Sequence, residues 1–117
     1  MKYLQFIFLL LVFIACKPSV EQRKKPANFL TEEKMVEVIA DFTITEAAVR
    51  QLTGYGHDPK VVSDYYYKKV LEKYNITPDD FQENLSYYSQ NPKQIHDIYS
   101  RVVTKLSEIQ TEISTRK

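Results

Sequence analysis

Apolar residues recur along most of the chain at helical spacing, and short polar turns interrupt them. The first helix is predicted after Thr31, whose side chain can cap it, and its apolar face ends near Gly54 and Gly56. Asp58 followed by Pro59 predicts the start of a second helix, because aspartate caps well and proline suits the first helical position. The inward residues of these two helices are Met35, Val38, Ile39, Phe42, Val49 and Leu52, and then Val62, Tyr66, Val70 and Tyr74.

Two further helix starts follow. Thr77 precedes a proline and two acidic residues, which predicts a third helix whose inward residues are Phe81, Leu85 and Tyr88. A fourth helix is predicted from Pro92 to Ser114, about 35 Å at 1.5 Å per residue, with Asn91 as its cap and Gln94 placed to return a bond to that cap. Its apolar positions alternate spacings of four and three, a heptad pattern formed by Ile95, Tyr99, Val102, Leu106, Ile109 and Ile113.

The predicted fold is therefore all-α. It is a small domain of three or four helices with a long C-terminal helix, since no stretch alternates with period two for long enough to predict a strand.

The N-terminal stretch predicts a lipoprotein signal peptide over residues 1–15. Lys2 gives a positive start, and the apolar run at 4–15 is shorter than the about 20 residues that a bilayer-spanning helix needs. The sequence FIAC, which begins at Phe13, is typical of a lipobox, and a bulky residue there disfavours ordinary signal-peptidase cleavage. The only cysteine, Cys16, is therefore expected to carry acyl chains such as palmitate, although an uncleaved segment with an incidental cysteine is the alternative.

Composition divides the rest of the chain into two parts. Residues 16–28 are expected to form the lipidated cysteine and a polar tether, in which four basic residues against one acidic residue give +3. Residues 29–117 are expected to form one helical domain, in which 11 basic and 14 acidic residues give −3. The basic tether could attract anionic headgroups or act as a solvated spacer. The acidic domain is a poor candidate for nucleic-acid binding, which needs a basic face. The lack of aspartate after Cys16 favours the outer membrane, facing the periplasm.

Several strings resemble a known family in their order and spacing. They are Met35 to Asp41, Tyr66 to Lys69, Lys73 to Thr77 with Phe81, Tyr87-Tyr88, and Ile98-Tyr99 with Val102 and Leu106. The family comprises small lipoproteins of Bacteroidota catalogued as domain of unknown function 4296, and the resemblance extends from about Pro26 to Leu106. It implies an envelope lipoprotein with a helical domain, and it implies no activity, ligand or catalytic residue.

Candidate chemistry is sparse. The two histidines, His57 and His96, are too few for a metal site, and neither a metal nor another cofactor is expected. Glu46 lies on the same helical face as Phe42, so it should point toward the core or its edge. It could act, with Asp41, as an acid/base group, or it could be satisfied by tyrosine hydroxyls or by a lysine of a neighbouring helix.

Two features favour contact with a partner. Consecutive tyrosines cannot all face inward, so Tyr65, or one of the pair at 87 and 88, is expected to lean toward solvent. Exposed tyrosines suit contacts with a partner, and we take Tyr65 and Tyr87 as the candidates. Ile109 and Ile113 lie near the end of the longest helix, where they either form an apolar seam for a partner or a second copy or are covered by the first helix.

Together these patterns favour a non-catalytic binding or scaffolding module, held at the outer membrane by lipid on Cys16, with an envelope protein as partner. The alternatives are a small envelope enzyme, or enzyme subunit, that uses Glu46 and Asp41, and a passive structural spacer.

Replacing the lone thiol tests the anchor. Cys16→Ser should abolish incorporation of labelled palmitate in the producing bacterium, because acylation needs the sulfur, whereas Ser19→Ala should leave it unchanged. Equal labelling of the Cys16→Ser protein would rule out attachment at this residue.

Overall fold

The structure, a computed structural model, describes residues 23–116. The helices of this part are α1 (Glu32–Gly54), α2 (Pro59–Tyr74), α3 (Pro78–Ser89) and α4 (Pro92–Thr115). The predicted all-α fold with a long last helix is confirmed. Cys16 and the predicted signal peptide lie outside the described residues. Across 23–116, no helix combines the length and the apolar character that a bilayer span requires.

The predicted caps begin all four helices. The side chains of Thr31, Asp58 and Asn91 each accept a hydrogen bond from a backbone N–H of the first turn. The cap at Thr77 is reciprocal: its hydroxyl accepts from the Asp80 N–H at 3.1 Å, and the Asp80 carboxylate accepts from the Thr77 N–H at 2.8 Å. These bonds satisfy donors that the first turn of a helix leaves free, which explains why the starts could be predicted from the sequence.

The predicted return bond from Gln94 to Asn91 is wrong. The Gln94 amide donates instead to the Glu32 carboxylate at 3.2 Å, and the Asn91 N–H donates to the Tyr88 carbonyl at 3.0 Å. Gln94 therefore links α4 to the start of α1 rather than closing its own cap.

A short turn joins α1 and α2 into an antiparallel pair. Gly56 has a φ of +91°, a conformation that side chains disfavour, so the turn depends on this glycine. Tyr55 beside it is 75% exposed. The far end of α2 contacts the middle of α1, where Lys73 forms an ion pair with Asp41.

Helix α1 is the central element of the fold. It packs against both α2 and α4, and α3 packs mainly against α4. Consequently the stretch from Met35 to Ala40 is buried on nearly every side, with only Glu37 partly open. Each fully buried aliphatic side chain contributes about 1.5–3 kcal/mol. The buried residues that close around this stretch are Leu30, Ile76, Tyr88, Ile98 and Val102.

Helix α4 presents a slightly different face from the one predicted. Ile98 is fully buried and Val102 nearly so, whereas Tyr99 is 47% exposed. The heptad pattern predicted Tyr99 as one of the inward residues, and that prediction is wrong. Because α4 packs on α1 as one helix of a globular core, the buried face centres between Ile98 and Val102, and Tyr99 lies at its edge.

The N-terminal segment before α1 is held against α3 by two side chains one turn apart. Asn84 is fully buried; its Oδ1 accepts from the Leu30 N–H at 2.8 Å, and its Nδ2 donates to the Asn28 carbonyl at 2.8 Å. The buried Tyr88 hydroxyl donates to the Leu30 carbonyl at 2.7 Å. The backbone polar groups of Asn28 and Leu30 thereby find their partners in side chains of α3.

This segment, residues 23–30, is called the strap below. Arg23 donates to the Tyr87 carbonyl at 3.3 Å and to the Gln94 side chain at 3.4 Å, and its guanidinium lies over the Tyr87 ring. Phe29 packs edge-on against Tyr87 at 5.4 Å between ring centroids. Through these contacts Arg23 and Phe29 pack on the helical domain.

Loss of the Asn84 amide should destabilise the whole fold. Asn84→Ala leaves the Leu30 N–H and the Asn28 carbonyl without partners, so the free energy of unfolding should fall by about 2–4 kcal/mol. Urea denaturation followed by circular dichroism measures this change. Ser86→Ala, at an exposed position of the same helix, is the control and should shift stability by less than about 0.5 kcal/mol. Equal stability of the two variants would mean that the strap does not depend on Asn84.

Candidate functional site

A concave surface of the described domain lies between α2 and α3, over α1. It is an open groove of about 630 Å³. We call it the aromatic groove. It is lined by Ile39, Phe42, Thr43 and Glu46 of α1, Tyr67 and Leu71 of α2, Pro78, Phe81, Gln82 and Leu85 of α3, and Tyr99 of α4.

Three aromatic rings line this groove in contact with one another. Phe42 of α1 lies 5.0 Å from Phe81 and 5.8 Å from Tyr67, measured between ring centroids. All three rings are only partly buried, so their faces remain accessible. Tyr67, Leu71 and Pro78 also line a neighbouring hollow, which extends the apolar surface along α2. Contiguous exposed apolar surface of this kind is typical of binding sites.

Glu46 lies at the rim of the groove rather than in the core. Its side chain is exposed and forms an ion pair with Arg50, one turn further along α1, at 2.9 Å. The expectation that Glu46 points toward the core or its edge is therefore wrong. It does share the helical face of Phe42, but no helix covers that face at this level, because the groove opens there.

Asp41, Lys73 and Tyr74 form a polar cluster between α1 and α2. Its carboxylate accepts hydrogen bonds from the Lys73 ammonium at 2.6 Å and from the Tyr74 hydroxyl at 2.7 Å. Burial, with the hydrogen bond to Asp41, raises the pKa of Tyr74 to about 12. The hydrogen bond to Asp41 also raises the pKa of Lys73. A tyrosine hydroxyl and a lysine of a neighbouring helix thus satisfy Asp41, the arrangement that the sequence left open for Glu46.

The carboxylates of Asp41 and Glu46 have different partners in the structure. Asp41 ties α1 to the end of α2, and Glu46 contacts Arg50 of its own helix. Asp41 is partly buried and accepts both of its hydrogen bonds at Oδ2, whereas Glu46 is exposed at the groove rim. Both histidines are exposed, and within residues 23–116 no group of three or more His, Cys, Asp or Glu side chains is placed to hold a metal ion.

The two tyrosines that the sequence singled out lie in different surroundings. Tyr65 is exposed on α2, where its ring contacts Tyr66 edge-on and Lys69 lies over it. Tyr87 is half-buried beneath the strap, against Phe29 and Arg23. The structure therefore leaves the Tyr65 ring accessible and gives Tyr87 a packing contact within the domain.

The end of α4 carries the predicted apolar seam only in part. Ile109 is half-buried, whereas Ile113 is 63% exposed. The alternative that the first helix covers both residues is therefore wrong for Ile113. The buried residues of α4 end at Val102, and beyond Leu106 most of the helix is open to solvent.

Two features of the structure were not predicted from the sequence, one in the groove and one beneath the strap. Tyr99 was assigned to the core, and it lines the groove instead. Asn84 drew no attention, although it lies between Phe81, Leu85 and Tyr88 on the inward face of α3. A polar residue at an inward helical position signals a buried hydrogen-bonding role, and this pattern could have identified Asn84.

A family model matches residues 26–112, which is more than half of the chain. Its description is "Domain of unknown function (DUF4296)". The chain belongs to the DUF4296 family. The matched residues begin within the strap and include Asn28, whose carbonyl Asn84 binds. No curated protein and no solved structure matches the chain.

The Asp41 cluster makes a prediction about tyrosine ionisation. Asp41→Asn removes the negative charge that opposes ionisation of Tyr74, so the pKa of Tyr74 should fall from about 12 toward its ordinary 10.0. Tyrosine ring carbons followed by NMR across alkaline pH report this value, with Tyr74→Phe assigning the signal. Glu46→Gln is the matched control and should leave the Tyr74 titration unchanged. An unaltered pKa in Asp41→Asn would show that the carboxylate does not govern this hydroxyl.

Proposed function

We propose that this DUF4296 protein is a non-catalytic binding or scaffolding module of the bacterial envelope. Lipid on Cys16 would hold it at the outer membrane, and its helical domain would bind another envelope protein. The observation that carries the proposal is the aromatic groove, where Phe42, Tyr67 and Phe81 form a connected and partly exposed aromatic surface.

The chemistry of the groove supports binding better than catalysis. Its lining is mostly aromatic and aliphatic, and the one carboxylate, Glu46, lies at the rim with Arg50 as its partner. Aromatic side chains are enriched at protein interfaces, since they bury large areas at low cost in conformational entropy. An enzyme that used Glu46 and Asp41 would need these groups free to exchange protons with a substrate, and the structure gives both of them ion pairs.

A protein that acted only as a passive structural spacer would require neither a groove nor an accessible aromatic surface. The extent of exposed aromatic lining along α2 and α3 therefore favours a partner over a spacer.

In-cell crosslinking tests the groove as the binding surface. A photoreactive residue at Tyr99 should capture one discrete envelope protein, and the same residue at Tyr55, exposed at the far turn, should not. With that partner purified, Tyr67→Ala should weaken binding about tenfold or more, because an aromatic anchor of an interface contributes over 1.4 kcal/mol. Tyr55→Ala is the control and should bind as the unaltered protein does.

Other outcomes would contradict the proposal that the groove is the binding surface. Capture from Tyr65 or Ile109 but not from Tyr99 would move the interface to the α2 face or to the end of α4. Unchanged affinity of the Tyr67→Ala protein, with its fold intact by circular dichroism, would also exclude the groove.

A further inference from the structure

The first described residue of the strap lies at one corner of the helical domain. Arg23, its first described residue, contacts the carbonyl of Tyr87 near the end of α3 and the side chain of Gln94 in the first turn of α4. Arg23, from which the chain continues toward Cys16, therefore lies beside the turn that joins α3 and α4, and we call this position the exit point.

The contacts behind Arg23 hold the rest of the strap, from Asn28 to Leu30, against α3. Asn84 and Tyr88 are buried and bind the strap backbone at Asn28 and Leu30, and Phe29 packs between aromatic rings. If the strap detached, the buried polar atoms of both α3 side chains would lose these partners. The strap is thus part of the folded domain rather than a free linker.

Covalent geometry limits how far the anchor residue can lie from this corner. The seven peptide units from Cys16 to Arg23 span at most about 25 Å, against about 43 Å for the twelve units to Asn28. The opposite end of the domain is distant, because α1 runs about 33 Å from Glu32, beside the strap, to Gly54 at the α1–α2 turn.

We propose that the docked strap orients the helical domain on the membrane, with the α3–α4 turn toward the bilayer and the α1–α2 turn away from it. The inference rests on the proposed lipid anchor at Cys16. Its partner surface is the lipid bilayer itself, and its consequence is that a protein partner approaches from the side of the domain that the strap turns away from the membrane.

Energy transfer to the bilayer tests this orientation in the acylated full-chain product. Cys16 is the only cysteine, so once it is acylated an added thiol is unique. Lys93→Cys, near the exit, and Tyr55→Cys, at the far turn, are each labelled with a donor dye. The protein is placed in phosphatidylethanolamine–phosphatidylglycerol vesicles that contain a headgroup-labelled acceptor lipid. Transfer from position 93 should exceed transfer from position 55 about twofold or more, given the length of α1.

Releasing the first strap contact should reduce that difference. Arg23→Ala frees the exit point without touching the buried residues, so the two transfer efficiencies should converge as the reach grows toward about 43 Å. Lys24→Ala removes the same charge from an exposed neighbour and should keep the difference. Equal transfer from both positions in the parent protein, or no change with Arg23→Ala, would overturn the orientation.

Two further measurements distinguish a failure of this orientation from a failure of the proposed lipid anchor. Mass spectrometry of the purified protein reports whether Cys16 is acylated, and its absence would overturn the proposed function. Amide exchange by NMR reports the strap without any membrane: slow exchange of the Leu30 N–H supports docking, and fast exchange in a folded protein overturns it.

Discussion

The buried amide of Asn84 is the interaction on which the arrangement of this domain depends. A primary amide without partners in the interior is costly, and this one finds them in the backbone at Asn28 and Leu30 and in the carbonyl of Asp80, one turn back. Satisfying the side chain therefore requires the segment before α1 to lie along α3. That requirement brings Leu30 into the core, positions the start of α1, and sets the place where the chain leaves the domain.

A central helix with partners on several sides has a geometric consequence. Helix α1 is surrounded at Met35 to Ala40, where α2, α4 and the strap region all reach it. Further along, around Phe42, α2 and α3 are too far apart to cover it, and its aromatic ring contacts Tyr67 and Phe81 at an open surface. The groove is thus left open because the short helix α3 packs against α4 and the strap rather than over this part of α1. The same helices that build the core leave the surface that we assign to a partner.

The polar residues of the domain stabilise its structure. Asp41 joins α1 to α2 through Lys73 and Tyr74, and Glu32 meets Gln94 of α4. These contacts lie between elements that are distant in sequence, so they stabilise the tertiary arrangement rather than individual helices. The exposed pairs along single helices, such as Glu46 with Arg50, contribute little, because water screens them. Binding without catalysis is consistent with this use of charge.

The sequence by itself determined the helices, because their signals are local. The caps at Thr31, Asp58, Thr77 and Asn91 act within a single turn, and the spacing of apolar residues fixes which face of a helix turns inward. Only the tertiary structure decided which part of each face is covered. Glu46 and Tyr99 lie on or beside apolar stripes, yet they are exposed, since burial depends on whether a neighbouring helix reaches that level. The strap was decided in the same way, because its hydrogen bonds join residues more than fifty positions apart and periodicity carries no information at that range.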